Sequence, residues 1–182
     1  MKHNTALMKI DGKLLDALDT IQSEVSIEYI EDIIETIKLK QLFRENTDNI
    51  LKKHNITSYT HAKGRFMDLI IHYINHILID DIIDEAEYYN VTQLKRLFKI
   101  ETGDFYKLRH DKIEQIILKQ IIKMYEDNQI EKFESIHKSK IQGLFDLSFD
   151  QLNEFVTDEV NRALQEGADI AELDAYLKRL NT

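Results

Sequence analysis

The chain predicts an all-α protein, a compact helical bundle, and three observations carry that prediction. It has no proline and only five glycines in 182 residues, so little in it interrupts a helix. Its apolar residues recur at helical spacing along much of its length. One stretch also recurs at a fixed offset: Asp80, Ile83, Asp84, Glu87, Leu94, Leu97, Phe98, Ile100 and Phe105 meet Asp127, Ile130, Glu131, Glu134, Ile141, Leu144, Phe145, Leu147 and Leu152, each 47 positions later. The register extends backwards, where Ile70, Ile71, Ile74 and Ile77 meet Ile117, Leu118, Ile121 and Met124. An ungapped offset that keeps acidic positions as well as apolar ones reads as two tandem helical units.

In order along the chain, Leu14, Leu15, Leu18 and Ile21 form one stripe, and Ile27, Ile30, Ile33, Ile34, Ile37 and Leu42 a longer one. Together they predict an N-terminal helical hairpin over 1–56, packed against the repeat. Lys53 to Thr60 lacks periodicity and reads as a linker. The duplicated core, 61–155, opens with a helix from His61 to Ile79, a turn at Asp80–Asp84, a helix from Glu85 to Lys99 and a break at Thr102 and Gly103. Asp111 with Glu114 makes a capping-box pattern that starts the second copy, whose helix runs to Tyr125. A turn at Asp127–Gln129 leads to a helix over Ile130–Phe145, and Ser148 with Gln151 caps the next, ended by Gly167. Asp169 and Glu172 cap a last helix bearing Ile170, Leu173, Leu177 and Leu180, so 156–182 reads as acidic C-terminal helices within the same domain.

Charge and composition narrow the function. A net charge of −9 argues against non-specific nucleic-acid binding, which needs a basic face to displace counterions. Between Asp146 and Asp174 nine acidic residues face Arg162 alone, which suits either a solvated helix face or a basic protein partner. No apolar run reaches the length of a bilayer span, no secretory signal opens the chain, and cysteine is absent, so a cytoplasmic location is expected.

The repeated acidic turn is the first candidate site. Asp80, Glu87, Asp127 and Glu134, with Asp81, Asp84 and Glu131 beside them, could gather carboxylates around a hard divalent cation, calcium or magnesium. The competing reading is helix capping, since Asp84 and Glu87 stand as N-cap and N3. Two tandem units with Asp, an apolar residue three on and Glu seven on resemble the TerB family of tellurite-resistance and stress-associated proteins. Here Asp80-Asp81-Ile82-Ile83 with Glu87, and Asp127-Asn128-Gln129-Ile130 with Glu134, stand where that family has Asp-Gly-x-Ile-x-x-x-Glu; Asp81 and Asn128 replace its glycine. The resemblance spans Phe66 to Phe155. It implies a non-catalytic helical module, a metal-holding acidic surface at Asp80, Glu87, Asp127 and Glu134, and a place in a bacterial stress-response or phage-defence assembly.

Two other constellations lie on one helix. Asp68, His72, His76 and Asp80 recur every four residues, a transition-metal pattern lacking a further strong ligand and equally the polar face of an amphipathic helix. Arg65 and His72, six residues between them, resemble the spacing of HEPN ribonucleases, which are also all-helical; Phe66 stands where that family usually has a polar residue. That resemblance implies a histidine acting on the RNA 2′-hydroxyl and an arginine steadying the phosphate. The function expected is a non-catalytic binding or adaptor module with protein partners, compatible with a homodimer; the alternative is a metal-independent ribonuclease using Arg65 and His72.

Overall fold

Leu14, Ala17, Leu18 and Ile21 share one face of the first helix, α1 (Gly12–Glu24), and all four are buried. The computed structural model describes residues 12–24, 26–39, 44–79, 83–126, 130–155 and 157. Every described element is a helix: α2 (Glu28–Lys38), α3 (Arg44–Lys53), α4 (Tyr59–Ile77), α5 (Glu85–Leu97), α6 (Asp104–Glu126), α7 (Ile130–Phe145) and a final helical stretch over 149–155. The protein is all-α, as its composition predicts, and no helix among the described residues is long and apolar enough to cross a membrane. The predicted helices beyond Asp158, with Leu164, Gly167, Asp169 and Glu172, lie outside the described residues.

The chain divides into two units, Met1–Asp104 and Phe105–Thr182. In the first, α4 is the hub and touches α1, α2 and α5. Ala62, Phe66, Met67, Leu69, Ile70, Ile71, Tyr73, Ile74 and Ile77 are all buried, so α4 is apolar around most of its circumference. Phe66 stacks on Phe98 with ring centroids 4.2 Å apart and planes 9° apart, and Tyr29 and Tyr59 pack on its other sides. Ile30, Ile33, Ile34 and Ile37 of α2 complete this core, and Lys38 ties α2 to α1 through Asp19 at 2.6 Å. The second unit has its own core, in which Phe105 meets Phe145 edge to face at 5.7 Å and Ile113, Ile117, Ile141 and Leu144 are buried.

Three helices end alike, and none of the three ends on glycine. Asn55, Lys99 and Asp146 take left-handed backbone conformations, with φ of 58°, 56° and 52°. The next residue turns its N–H back along each helix: Ile56 to Leu51 O at 2.8 Å, Ile100 to Lys95 O at 2.9 Å and Leu147 to Gln142 O at 3.0 Å. This is the Schellman arrangement, which satisfies carbonyls that a helix end would leave without donors. The second and third of these stops lie 47 residues apart, and the cap of the succeeding helix recurs at the same offset. Glu101 N–H donates to Asp104 Oδ2 at 2.7 Å and Ser148 N–H to Gln151 Oε1 at 2.9 Å, again 47 apart. Gln151 N–H in turn donates to Ser148 Oγ at 3.1 Å, completing the predicted capping box.

Several boundaries differ from expectation. α3 is a further helix beyond the predicted stripe, which ends at Leu42, and the non-helical link is shorter than expected, covering only 54–58. α6 begins at Asp104 rather than Asp111, because the Asp104 carboxylate already caps the Glu101 N–H and Gly103 (φ 83°) turns the chain beforehand. A break survives close to the expected start, where Arg109 takes φ −141° and ψ 27° inside α6.

Candidate functional site

Of the four carboxylates proposed to hold a cation, one is described in full. Glu87 sits in the first turn of α5, its side chain 1% exposed. Its Oε2 accepts the Asp84 N–H at 2.8 Å while Asp84 Oδ1 accepts the Glu87 N–H at 2.8 Å, so the two close a reciprocal capping box. Its other oxygen, Oε1, pairs with Lys13 Nζ at 3.1 Å, joining the start of α5 to the start of α1. Both oxygens are therefore occupied by the fold, and a cation bound at Glu87 would compete with the cap and the ion pair. Asp80, Asp81 and Asp127 lie outside the described residues; Glu131 and Glu134 belong to α7, but their side chains lie outside the description.

The histidine stripe runs along α4. Asp68, His72 and His76 are all half-buried, and Asp68 carries an ion pair to Arg65 at 3.8 Å. Among the described residues no three histidine, aspartate or glutamate side chains converge as a metal-holding group. Arg65 and His72 lie on one helix face, seven positions apart and so separated by about 10 Å along the axis. Arg65 stands exposed and engages Asp68. Its charge also bears on Tyr29, although burial outweighs it and holds that hydroxyl above its ordinary pKa.

The structure joins Lys53 and His54, in the stretch expected to be a linker, to Glu28 and Asp32 of α2. His54, just past α3, places Nε2 2.8 Å from Asp32 Oδ2 and Nδ1 3.7 Å from Glu28 Oε2, so it lies between two carboxylates one turn apart on α2. Lys53 Nζ reaches the same Asp32 oxygen at 2.7 Å. These hydrogen bonds, Lys53 first and His54 second, hold the Asp32 carboxyl below the usual carboxylate range. An Asp–His pair can orient a base, but here the second ring nitrogen faces Glu28, a carboxylate, where an activated nucleophile would have to stand. The spacing from Glu28 and Asp32 to His54 crosses two helices, which is why no local motif announces the cluster.

A second unannounced group surrounds Tyr59 at the start of α4. Lys99 Nζ lies 4.0 Å from the Tyr59 ring centroid, a cation–π contact. The buried hydroxyl makes no well-formed hydrogen bond among the described residues, and burial followed by the nearby Asp48 carboxylate pushes its pKa well above the ordinary tyrosine value. Lys63 Nζ meets Asp104 Oδ2 at 2.7 Å, anchoring α4 to the Glu101–Asp104 turn. These groups brace the helices of the first unit. No family model matches the chain, and no curated protein or solved structure is similar to it.

Proposed function

We propose that the chain is a non-catalytic helical binding module, an adaptor that works through its surface. The observation that supports this reading best is in the second unit, where Leu108 and Phe149 stand 50% and 59% exposed on short segments dense in charge. An apolar centre within a polar rim is the arrangement of a contact surface. The ionisable groups of the first unit add weight, since Glu87, Asp32, His54, Lys63 and Asp104 are engaged in contacts that hold its helices together. The setting implied by the TerB-like resemblance, a stress-response or phage-defence assembly, belongs to the same proposal.

The experiment pairs two readouts. Purified chain is incubated with single-stranded RNA beside Arg65→Ala and His72→Ala variants, and the adaptor reading expects no cleavage that depends on either residue. Cleavage lost in both variants would replace it with the ribonuclease reading. Cross-linking in the native cell, comparing the chain with a Leu108→Ser, Phe149→Ser variant of equal helicity, should then show protein contacts that the variant loses.

A further inference from the structure

The second unit carries two patches of opposite sign, each centred on one large exposed apolar side chain. The first lies near the start of α6, around the dihedral break at Arg109, where Lys107, Arg109 and Lys112 neighbour Leu108 in the chain and Lys107 and Lys112 are exposed. Asp111 is the one acid among the residues from 107 to 112. At the break the Arg109 Nη1 donates to the Leu108 carbonyl oxygen at 2.7 Å. The second patch is the start of the 149–155 helix, where Phe149 is flanked by Asp146, Asp150 and Glu154 at four-residue spacing. Asp150 and Glu154 stand four apart on that helix, and their mutual repulsion of a few tenths of a kcal/mol would be offset by a basic surface laid across them.

The two patches are held rigidly with respect to each other. Tyr106, beside the first, donates its hydroxyl to Glu154 of the second, and the Tyr106 and His110 rings pack on Phe155 at 5.8 Å and 4.7 Å. Leu108 and Phe149 nonetheless remain half exposed or more, so this packing within the unit does not cover either. A net charge of −9 opposes indiscriminate self-association, so any self-contact has to be local and charge-matched.

We propose that the chain docks on a second copy of itself, the basic Leu108 patch of one copy against the acidic Phe149 patch of the other. This rests on the binding-module reading and names one of its partners. The same pair of patches can be used twice across a two-fold axis. Salt screens such a contact and weakens it.

Sedimentation velocity across a wide concentration range tests it, with Lys107→Glu, Asp150→Lys and an equimolar mixture of the two. The wild-type chain should self-associate, and each swap alone should weaken association about tenfold by setting like charge against like. The mixture should recover wild-type association through the pairing in which the two reversed charges meet each other. Unchanged helicity and melting of each variant separates lost docking from lost folding. A monomeric wild-type chain, self-association indifferent to both swaps, or a loss that the mixture does not repair would each overturn the proposal. If the chain stays monomeric while Leu108→Ser, Phe149→Ser abolishes cross-linking to other proteins, self-docking fails and the adaptor reading stands.

Discussion

Glu87 shows how a residue that looks like a ligand can be consumed by the fold. Its carboxylate satisfies a backbone N–H at the start of α5 and pairs with Lys13, and at 1% exposure no water can substitute for it. Glu87→Ala should therefore cost about 1–3 kcal/mol by urea unfolding, the cost of a lost cap and a buried donor left unmade. Lys13→Ala should also cost about 1–3 kcal/mol, because it leaves the buried Glu87 carboxylate without its counter-charge. A loss confined to Glu87→Ala would mean that the cap, not the ion pair, is what matters. Asp32 offers the pH counterpart. Its carboxyl is held below the usual range by Lys53 and His54, so the stability it contributes is present above the unfolded carboxylate pKa and lost as pH falls through the folded one. Asp32→Asn should cost a few tenths of a kcal/mol at neutral pH, screening included, and the gap to wild type should close in urea titrations below about pH 4.

At the scale of elements, the strongest regularity lies in how helices stop. Lys99 and Asp146 sit in left-handed conformations that cost a residue with a Cβ about 1 kcal/mol relative to glycine. Asp146→Gly should stabilise the protein by about 0.5–1 kcal/mol in urea unfolding; Lys99→Gly should gain less, since it also gives up the cation–π contact with Tyr59. Phe66→Ala, at the stacked centre of the first core, should cost about 3–5 kcal/mol. Much of this level was legible in the sequence. The stripe of α2, the capping boxes of Asp84 with Glu87 and Ser148 with Gln151, and the span of α7 all come from apolar period and local cap chemistry. α3 was not legible because only Thr47 and Leu51 of its ten residues are buried, too few to print a period. The left-handed stops were hidden because lysine, aspartate and asparagine do the work usually signalled by glycine. His54 between Glu28 and Asp32 was hidden because tertiary packing, not spacing, assembles it.

At the scale of the whole molecule, the boundary at 104/105 falls one residue before the end of the first of the two stretches that recur at an offset of 47, whose last member is Phe105. Each unit closes its own aromatic core, Phe66 with Phe98 in one and Phe105 with Phe145 in the other. Within the first unit, the described carboxylates most suggestive of chemistry serve its helix ends and contacts, and exposed apolar side chains stand in both units, Leu39 and Ile79 in the first and Leu108 and Phe149 in the second. We propose that Asp84 and Glu87 serve the fold and not a cation. Thermal unfolding of chelator-treated wild-type and Glu87→Gln protein, with and without calcium, magnesium, manganese or zinc, tests that claim most directly. Glu87→Gln is expected to lower the midpoint by the same amount in every condition. A metal-dependent rise in the wild type that Glu87→Gln abolishes would contradict it, because a cation that binds only the folded state must stabilise that state.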